Sequence, residues 1–144
     1  MLPESVVHYT TEEKTVKPRE SALAMLQRTE RPTAFVCYND ELAVSLLDAA
    51  RQAGLSVPED LSIVGFDDSA LATATNLTTL THPKMEMGVQ AVELLLSIIE
   101  NKAFDTGKDI VFKPELVVRE STRKNINRNS GTCILVCTGF FLFL

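Results

Sequence analysis

Two short apolar segments that end in carboxylates constrain the possible folds of this chain most strongly. Residues 34–40 read AFVCYND and residues 61–68 read LSIVGFDD. Between them, residues 41–53 carry apolar side chains at helical spacing, and Gly54 follows where such a helix can end. This order predicts a βαβ unit with parallel strands. Both acidic ends then lie at the carboxyl edge of one sheet, where open α/β sheets bind ligands.

The other predicted elements extend this unit into an α/β domain. Pro18 can begin a helix, because proline lacks an N–H and the N–H at the first helical position has no partner within the helix. Residues 83–101 carry two adjacent apolar lines, so this predicted helix should be covered over much of its circumference. Pro114 places the last predicted strand at an edge or a bulge. The remaining predictions are a strand at 6–10, a helical turn or loop at 69–76, and strands at 77–81 and 110–118.

Composition and charge limit the classes of function. The 144 residues suffice for one domain, and the net charge of -5 argues against nucleic-acid binding by this chain, because phosphate contacts need a basic face. The three cysteines form neither a disulfide framework nor a CxxC metal-ligand spacing. The first residues lack the charged and apolar segments of a signal peptide. We therefore expect a reducing, cytoplasmic setting and no cofactor.

The end of the chain differs in kind from the rest. Residues 125–132 are polar, and residues 133–144 are apolar without periodicity. The apolar segment is shorter than the about 20 residues that a membrane-spanning helix needs, so no membrane association is expected. We expect residues 125–144 to form a tail outside the domain, either disordered or appended past its natural end. Its apolar surface would favour aggregation.

Several motifs in order along the chain resemble the effector-binding domain of LacI/GalR-type transcriptional repressors. They are PTAFVCYND at 32–40, GLSVPEDLSIVGFDD at 54–68, LTTL at 77–80 and LVVREST at 116–122. The resemblance covers roughly residues 1–124. CYNDE at 37–41 and THPKMEMG at 81–88 are more narrowly similar to repressors of arabinose utilisation in Bacillus-like bacteria.

The resemblance implies a periplasmic-binding-protein-like type I fold, of which residues 1–124 would form mainly the carboxyl-side lobe. It implies a sugar effector, L-arabinose, bound between two lobes, and a homodimer that binds operator DNA through a separate amino-terminal domain. Compared with the family, the chain is expected to lack the DNA-binding domain, the first segment of the amino-side lobe and the opening of the carboxyl-side lobe, and so to be a truncated form. The helix at 83–101 would then lack the sheet that it covers in the family.

Three residues are the candidate ligand-binding side chains: Asn39, Asp67 and His82. By resemblance, Asn39 and Asp67 match positions that hydrogen-bond sugar hydroxyls, and His82 matches a polar position in the same cleft. A carboxylate accepts from two hydroxyls, and an amide both donates and accepts. The structural alternatives are a helix cap for Asn39, a turn residue for Asp67, and an exposed residue of a His-Pro turn for His82.

Two other classes of function stay open. A solute-binding component of a sugar transporter would share the fold, although no signal peptide is visible. An enzyme could use Asp40, Asp67 and Asp68 as acid, base or Mg²⁺ ligands, because clustered carboxylates suit a metal. No nucleophile with an adjacent base and no glycine-rich phosphate loop support that reading, and Asp40 and Asp68 are more often structural at such positions. We therefore expect a binding module rather than an enzyme.

Overall fold

The computed structural model describes residues 6–10, 18–29, 31–100, 109–124 and 133–137. Its strands are β1 (Val6–Thr10), β2 (Ala34–Cys37), β3 (Ser62–Phe66), β4 (Thr78–Thr81), β5 (Glu115–Val117) and β6 (Cys133–Cys137). Its helices are α1 (Pro18–Leu26), α2 (Asp40–Gln52), α3 (Ala70–Ala74) and α4 (Lys84–Ile99). The order of strands and helices along the chain confirms the predicted α/β class.

The described strands form one mixed sheet in the order β1-β6-β2-β3-β4-β5. Every neighbouring pair is parallel except β4 and β5, which are antiparallel. The predicted βαβ unit is β2-α2-β3, in which Ala34 is level with Ser62. β5 lies at the edge that Pro114 indicated, but it is shorter than the predicted strand at 110–118. Proline removes a ladder donor, so pairing begins only after it.

Strand β6 comes from the segment that we expected to be disordered or appended. Cys133–Cys137 lies between β1 and β2 and pairs with both in parallel register. The rest of the expected tail, residues 125–132 and 138–144, lies outside the described residues. That the tail is appended past the end of the family domain stays a prediction.

The described core lies between α1, α2 and the central strands. Phe35 and Ile63 from neighbouring strands are fully buried, and Leu46 contributes from α2. In both strands buried residues alternate with half-buried ones, so one face of this part of the sheet is covered more completely than the other. The other buried apolar residues are Met25, Leu26, Cys37, Ala43, Ala49, Ala50, Leu61, Ala72 and Leu77.

Helix α2 begins and ends where the sequence indicated. The Asn39 side chain accepts a hydrogen bond from the Leu42 N–H at 2.9 Å and so caps the helix. Gly54 adopts φ +73 just past the helix, a left-handed conformation that glycine tolerates without steric cost. These two local features fix the bounds of α2 and set the direction in which the chain leaves β2.

Helix α4 differs from α2 in its surroundings. None of its residues is buried, although its sequence is rich in Met, Val, Leu and Ile. The predicted need for cover is therefore not met within the part of the chain that the structure describes. No described helix is long and apolar enough to cross a membrane.

Candidate functional site

The carboxyl edge of the sheet brings the predicted site segments together. In the β2-β3 pair, Val36 is level with Val64, so Asn39 and Asp67 each follow three residues beyond this pair. In the β3-β4 pair, Phe66 is level with Leu80, and the Asp67 N–H donates to the Leu80 carbonyl at 2.8 Å. Three neighbouring parallel strands thus present Asn39, Asp67 and His82 at one edge. The edge location was predicted from the βαβ pattern.

Asp67 and His82 are directly adjacent. His82 Nδ1 lies 4.0 Å from Asp67 Oδ1, which suits an ion pair when the ring is protonated but is too long for a hydrogen bond. The Asp67 side chain is 40% exposed and that of His82 is 22% exposed. His82 Nδ1 itself is buried and has no hydrogen-bond partner among the described residues. A ligand hydroxyl can bond to the exposed Asp67 carboxylate directly, whereas it can reach His82 Nδ1 only if the ring turns.

The backbone at Asp67 has an unusual conformation. Its φ is 108, outside the region that most L residues prefer, and Asp68 follows with φ 46. The Lys84 ammonium donates to the Asp67 carbonyl and holds the turn from the side of α4. The His82 ring stacks on Phe66 with 5.4 Å between ring centroids, which orients the imidazole. Lys84 and Phe66 were not among the predicted site residues, although both flank them in the sequence.

Asn39 has the capping role that was one of its two predicted roles. Its side-chain oxygen caps α2, and the residue is half-buried at the carboxyl edge. The amide nitrogen takes no part in the cap, so the same side chain can present a donor to a ligand. The structural role is therefore shown, and the ligand role of Asn39 stays a prediction.

Asp40 is a buried structural carboxylate beneath this edge. It is 1% exposed, and its two oxygens accept from the Thr79 hydroxyl at 2.6 Å and from the Ser69 N–H at 2.7 Å. Gly65 is what leaves room for it, because a Cβ at that position would overlap the Asp40 carboxylate. The sequence offered Thr79 only as part of the LTTL motif, and the TTLT sequence of β4 gives no sign of this contact. The network joins α2, β4 and the turn after Asp68.

Asp68, like Asp40, uses its carboxylate in a hydrogen bond within the protein. Its carboxylate accepts from Arg119 Nη2 at 2.7 Å, and Arg119 Nη1 donates to the Leu77 carbonyl at 2.9 Å. The side chains of Arg119 and Asp68 are 19% and 27% exposed, so this ion pair is half-buried. The sequence offered Arg119 only as part of the LVVREST motif, which does not indicate this contact. Asp40 and Asp68 thus have the bracing roles that we expected.

These partners also bear on the possible magnesium site. Two of its three candidate carboxylates, Asp40 and Asp68, accept hydrogen bonds from protein groups. Asp67 is the exposed member of the three. Within the described residues, no group of three or more His, Cys, Asp or Glu side chains is placed to hold a metal ion.

A cleft of about 390 Å³ adjoins His82 on the side of β5. Its charged lining comes from Glu86 of α4, from Lys113, and from Glu115 of β5. Thr81, Pro83, Val111 and Phe112 complete the lining. His82 thus lies between the carboxyl edge and this cleft, and it can contact a ligand at the edge or in the cleft.

Residues 2–122 match the family model described as a periplasmic binding protein-like domain. The chain is 59% identical over 125 residues to the arabinose metabolism transcriptional repressor of Geobacillus stearothermophilus, a match that covers 84% of this chain and 34% of the relative. The corresponding repressor of Halalkalibacterium halodurans is 48% identical over 127 residues, with 83% and 34% coverage. The chain therefore spans about a third of the length of these curated relatives.

The fold is similar to solved structures of the same kind. The lac repressor dimer bound to operator and the anti-inducer ONPF aligns with a TM-score of 0.66 at 28% identity, covering 73% of this chain and 37% of that chain. The match of fold, motifs and relatives agrees with the resemblance inferred from the sequence. The chain therefore belongs to the periplasmic-binding-protein-like family and corresponds to part of a LacI/GalR-type effector domain.

Proposed function

We propose that this chain is the ligand-sensing part of a transcriptional repressor of sugar utilisation, with L-arabinose as the effector. Asn39, Asp67 and His82 are its proposed contacts to the sugar hydroxyls. The observation that carries the proposal is the division of polar groups at the carboxyl edge. Asp40 and Asp68 are bonded to protein groups, whereas Asp67 is exposed beside a His82 nitrogen that has no partner among the described residues.

The chemistry of this pair suits a polyol. A carboxylate accepts hydrogen bonds from two vicinal hydroxyls, and an imidazole nitrogen can donate to or accept from a third. The names of the two bacterial relatives, which are repressors of arabinose metabolism, support arabinose as the sugar. The similar lac repressor was solved as a dimer bound to operator, which supports a dimeric, operator-binding context for the longer protein.

Sugar binding would regulate such a repressor by a difference in affinity between two states. A ligand shifts a conformational equilibrium only by as much as it binds one state more tightly than the other. In this proposal the sugar favours the state that does not bind the operator. The carboxyl edge supplies one side of the sugar site, and operator contacts lie in another part of the longer protein.

The test is a sugar titration of the chain followed by NMR, with L-arabinose against D-glucose. L-Arabinose should shift the amide signals of Asn39, Asp67 and His82 in a saturable way, and D-glucose should not. Asp67→Ala should weaken the affinity by about 1.5–3 kcal/mol, roughly ten- to a hundredfold, the usual contribution of a hydrogen bond to a charged group. Asp48→Ala, on the outer face of α2, is the matched control and should leave the affinity unchanged. Equal effects of the two substitutions would refute the site.

A further inference from the structure

Strand β1 is attached to the rest of the described sheet through β6. In the strand order, β1 is an outer strand whose neighbour is β6, and β6 in turn pairs with β2. Among the described elements, β1 makes extensive contacts with β6 alone. Without β6, therefore, β1 would have no partner strand and one edge of β2 would lose its ladder.

The space between β1 and β2 has the properties of a site for one parallel strand. β1 offers backbone groups from Val6 to Thr10 and β2 from Ala34 to Cys37, and both strands run in the same direction. A strand between them makes hydrogen-bond ladders on both sides. Central parallel strands are typically apolar throughout, and residues 133–137 read CILVC. Residues 133–137 thus suit the position between β1 and β2, although their position in the sequence, after a polar segment, does not suggest it.

The chain can reach the position of β6 from the end of the sheet at which β3 begins. After β5, the Arg123 N–H contacts the Ser62 hydroxyl at 3.4 Å, so the chain lies at the start of β3. Ser62, Ala34 and Cys133 are level with one another in successive strands. The start of β6 is therefore about 10 Å from the start of β3, because neighbouring strands are about 4.8 Å apart. The eight residues 125–132 can span up to roughly 26–29 Å.

β6 pairs with β1 over Cys133–Cys137 and with β2 over Cys133–Val136. Its extensive contacts within the described chain are with β1 and β2, whereas α2 packs on α1, α3, β2 and β3. A segment held in this way resembles a tethered ligand whose effective concentration is set by its linker.

We propose that β1 and β2 form a strand-binding site, and that its ligand is an extended apolar peptide segment. The chain's own residues Cys133–Cys137 occupy this site intramolecularly, and an added peptide of the same sequence can replace them. The mode of recognition is insertion of a strand into a sheet, in which main-chain hydrogen bonds supply the affinity. This inference is independent of the proposed sugar site.

The first experiment measures amide hydrogen exchange in the full-length chain and its Leu135→Pro variant under reducing conditions. Proline cannot donate to a ladder and is excluded from central strands, so β6 should be lost. We expect exchange in Val6–Thr10 to rise more than about tenfold, and exchange in Ala34–Cys37 to rise less, because β2 keeps β3 as its partner. β3 and β4 should be unaffected. Ser130→Pro, in the linker, is the matched control and should resemble the unmodified chain.

The second experiment adds a peptide with the sequence of residues 131–139 to the Leu135→Pro chain. The peptide should restore slow exchange in β1 and β2, and the same peptide with proline at its central leucine should not. Unchanged exchange of β1 in the Leu135→Pro variant, or no effect of the peptide while β3 and β4 stay protected, would overturn the proposal.

Two measurements on the unmodified chain do not depend on the folding of a variant. β1 and β6 should open together, with one exchange rate that is faster than that of β3. A β1 that stays protected while β6 exchanges freely would contradict the inference. In an equal mixture of isotope-labelled and unlabelled chains, contacts between β6 and β2 should arise within one molecule. Contacts between molecules would assign the site to a second copy and refute the intramolecular tether.

Discussion

Helices α2 and α4 both have an apolar pattern at helical spacing, but only α2 has buried residues. α2 buries Ala43, Leu46, Ala49 and Ala50 and packs on α1, β2 and β3. α4 is longer and more apolar, yet none of its residues is buried, and no other described element packs extensively on it. Apolar periodicity thus identifies a helix and its apolar faces, but it does not say whether the covering partner is in the same chain.

The two helices also begin differently. Asn39 caps α2 with its side chain, and Asp40 at the first position of α2 is tied to Thr79 and Ser69. α4 begins after Pro83 without a side-chain cap bond. α2 is therefore fixed by local capping, by a long-range polar network and by packing. Each of these contributions can be removed separately, and each removal tests whether α2 and α4 differ for the reasons given.

The largest difference is expected for truncation of one leucine in each helix. Leu46 is 3% exposed and Leu95 is 55% exposed. Leu46→Ala should lower the free energy of unfolding by about 2–5 kcal/mol, because a buried leucine loses its transfer energy and leaves a cavity. Leu95→Ala should change it by less than about 0.5 kcal/mol. Urea denaturation of the two variants measures both values, and equal costs would mean that α4 is covered.

Removal of the Asp40 carboxylate should have the next largest effect. Asp40→Ala leaves the Thr79 hydroxyl and the Ser69 N–H without their acceptor in a buried place. Such unsatisfied groups cost about 1–3 kcal/mol in the free energy of unfolding. Asp48→Ala, on the exposed face of the same helix, is the control and should cost little. If the two variants melted alike, the network at the start of α2 would contribute nothing to stability.

A smaller effect is expected at the cap of α2. Asn39→Ala removes the acceptor of the Leu42 N–H and should cost about 1 kcal/mol in the free energy of unfolding. Asn39→Asp keeps a capping oxygen and should be close to neutral in stability. The same pair of variants in the sugar titration separates the two roles of Asn39, because only Asn39→Asp retains the cap while it removes the amide donor. Identical stabilities for both variants would argue against the cap.

The smallest effect on stability, but a measurable effect on association, is expected for a charge on α4. Exposed apolar patches promote self-association, so the unmodified chain should scatter light as an oligomer. Leu95→Lys should reduce the scattering mass and leave the unfolding free energy nearly unchanged. Ser97→Lys, which adds the same charge at a polar position of α4, should reduce association less. A monodisperse monomer with a sharp melt before any substitution would show that α4 needs no cover.

Local and periodic features were readable from the sequence because their causes lie within a few residues. The β2-α2-β3 unit followed from one apolar segment, one helical stripe and Gly54, and the Asn39 cap from its place before the helix. The carboxyl edge as the site followed from strand direction alone. The motifs of residues 32–40 and 54–68 then identified the family, which the relatives bear out.

The partners of Asp40 and Asp68 at the edge required the tertiary structure. Asn39, Asp40, Asp67 and Asp68 look alike as polar residues after strands, but the partner of Asn39 is local, whereas those of Asp40 and Asp68 lie far away in sequence. Asp40 meets Thr79 at a separation of 39 residues, and Asp68 meets Arg119 at a separation of 51. Such contacts depend on which strands become neighbours, and no local pattern encodes that choice.

The order of amino acids was therefore enough to establish the α/β class, the parallel unit at the centre, the capped helix α2 and the family, because periodicity, caps and motifs act over short distances. The folded chain was needed to show that Asp40 and Asp68 brace the edge while Asp67 is exposed beside His82. It also placed Cys133–Cys137 between β1 and β2. The physical reason is that hydrogen-bond ladders and long-range ion pairs join segments that are close in space but distant in sequence, and the order of residues does not show which segments will meet.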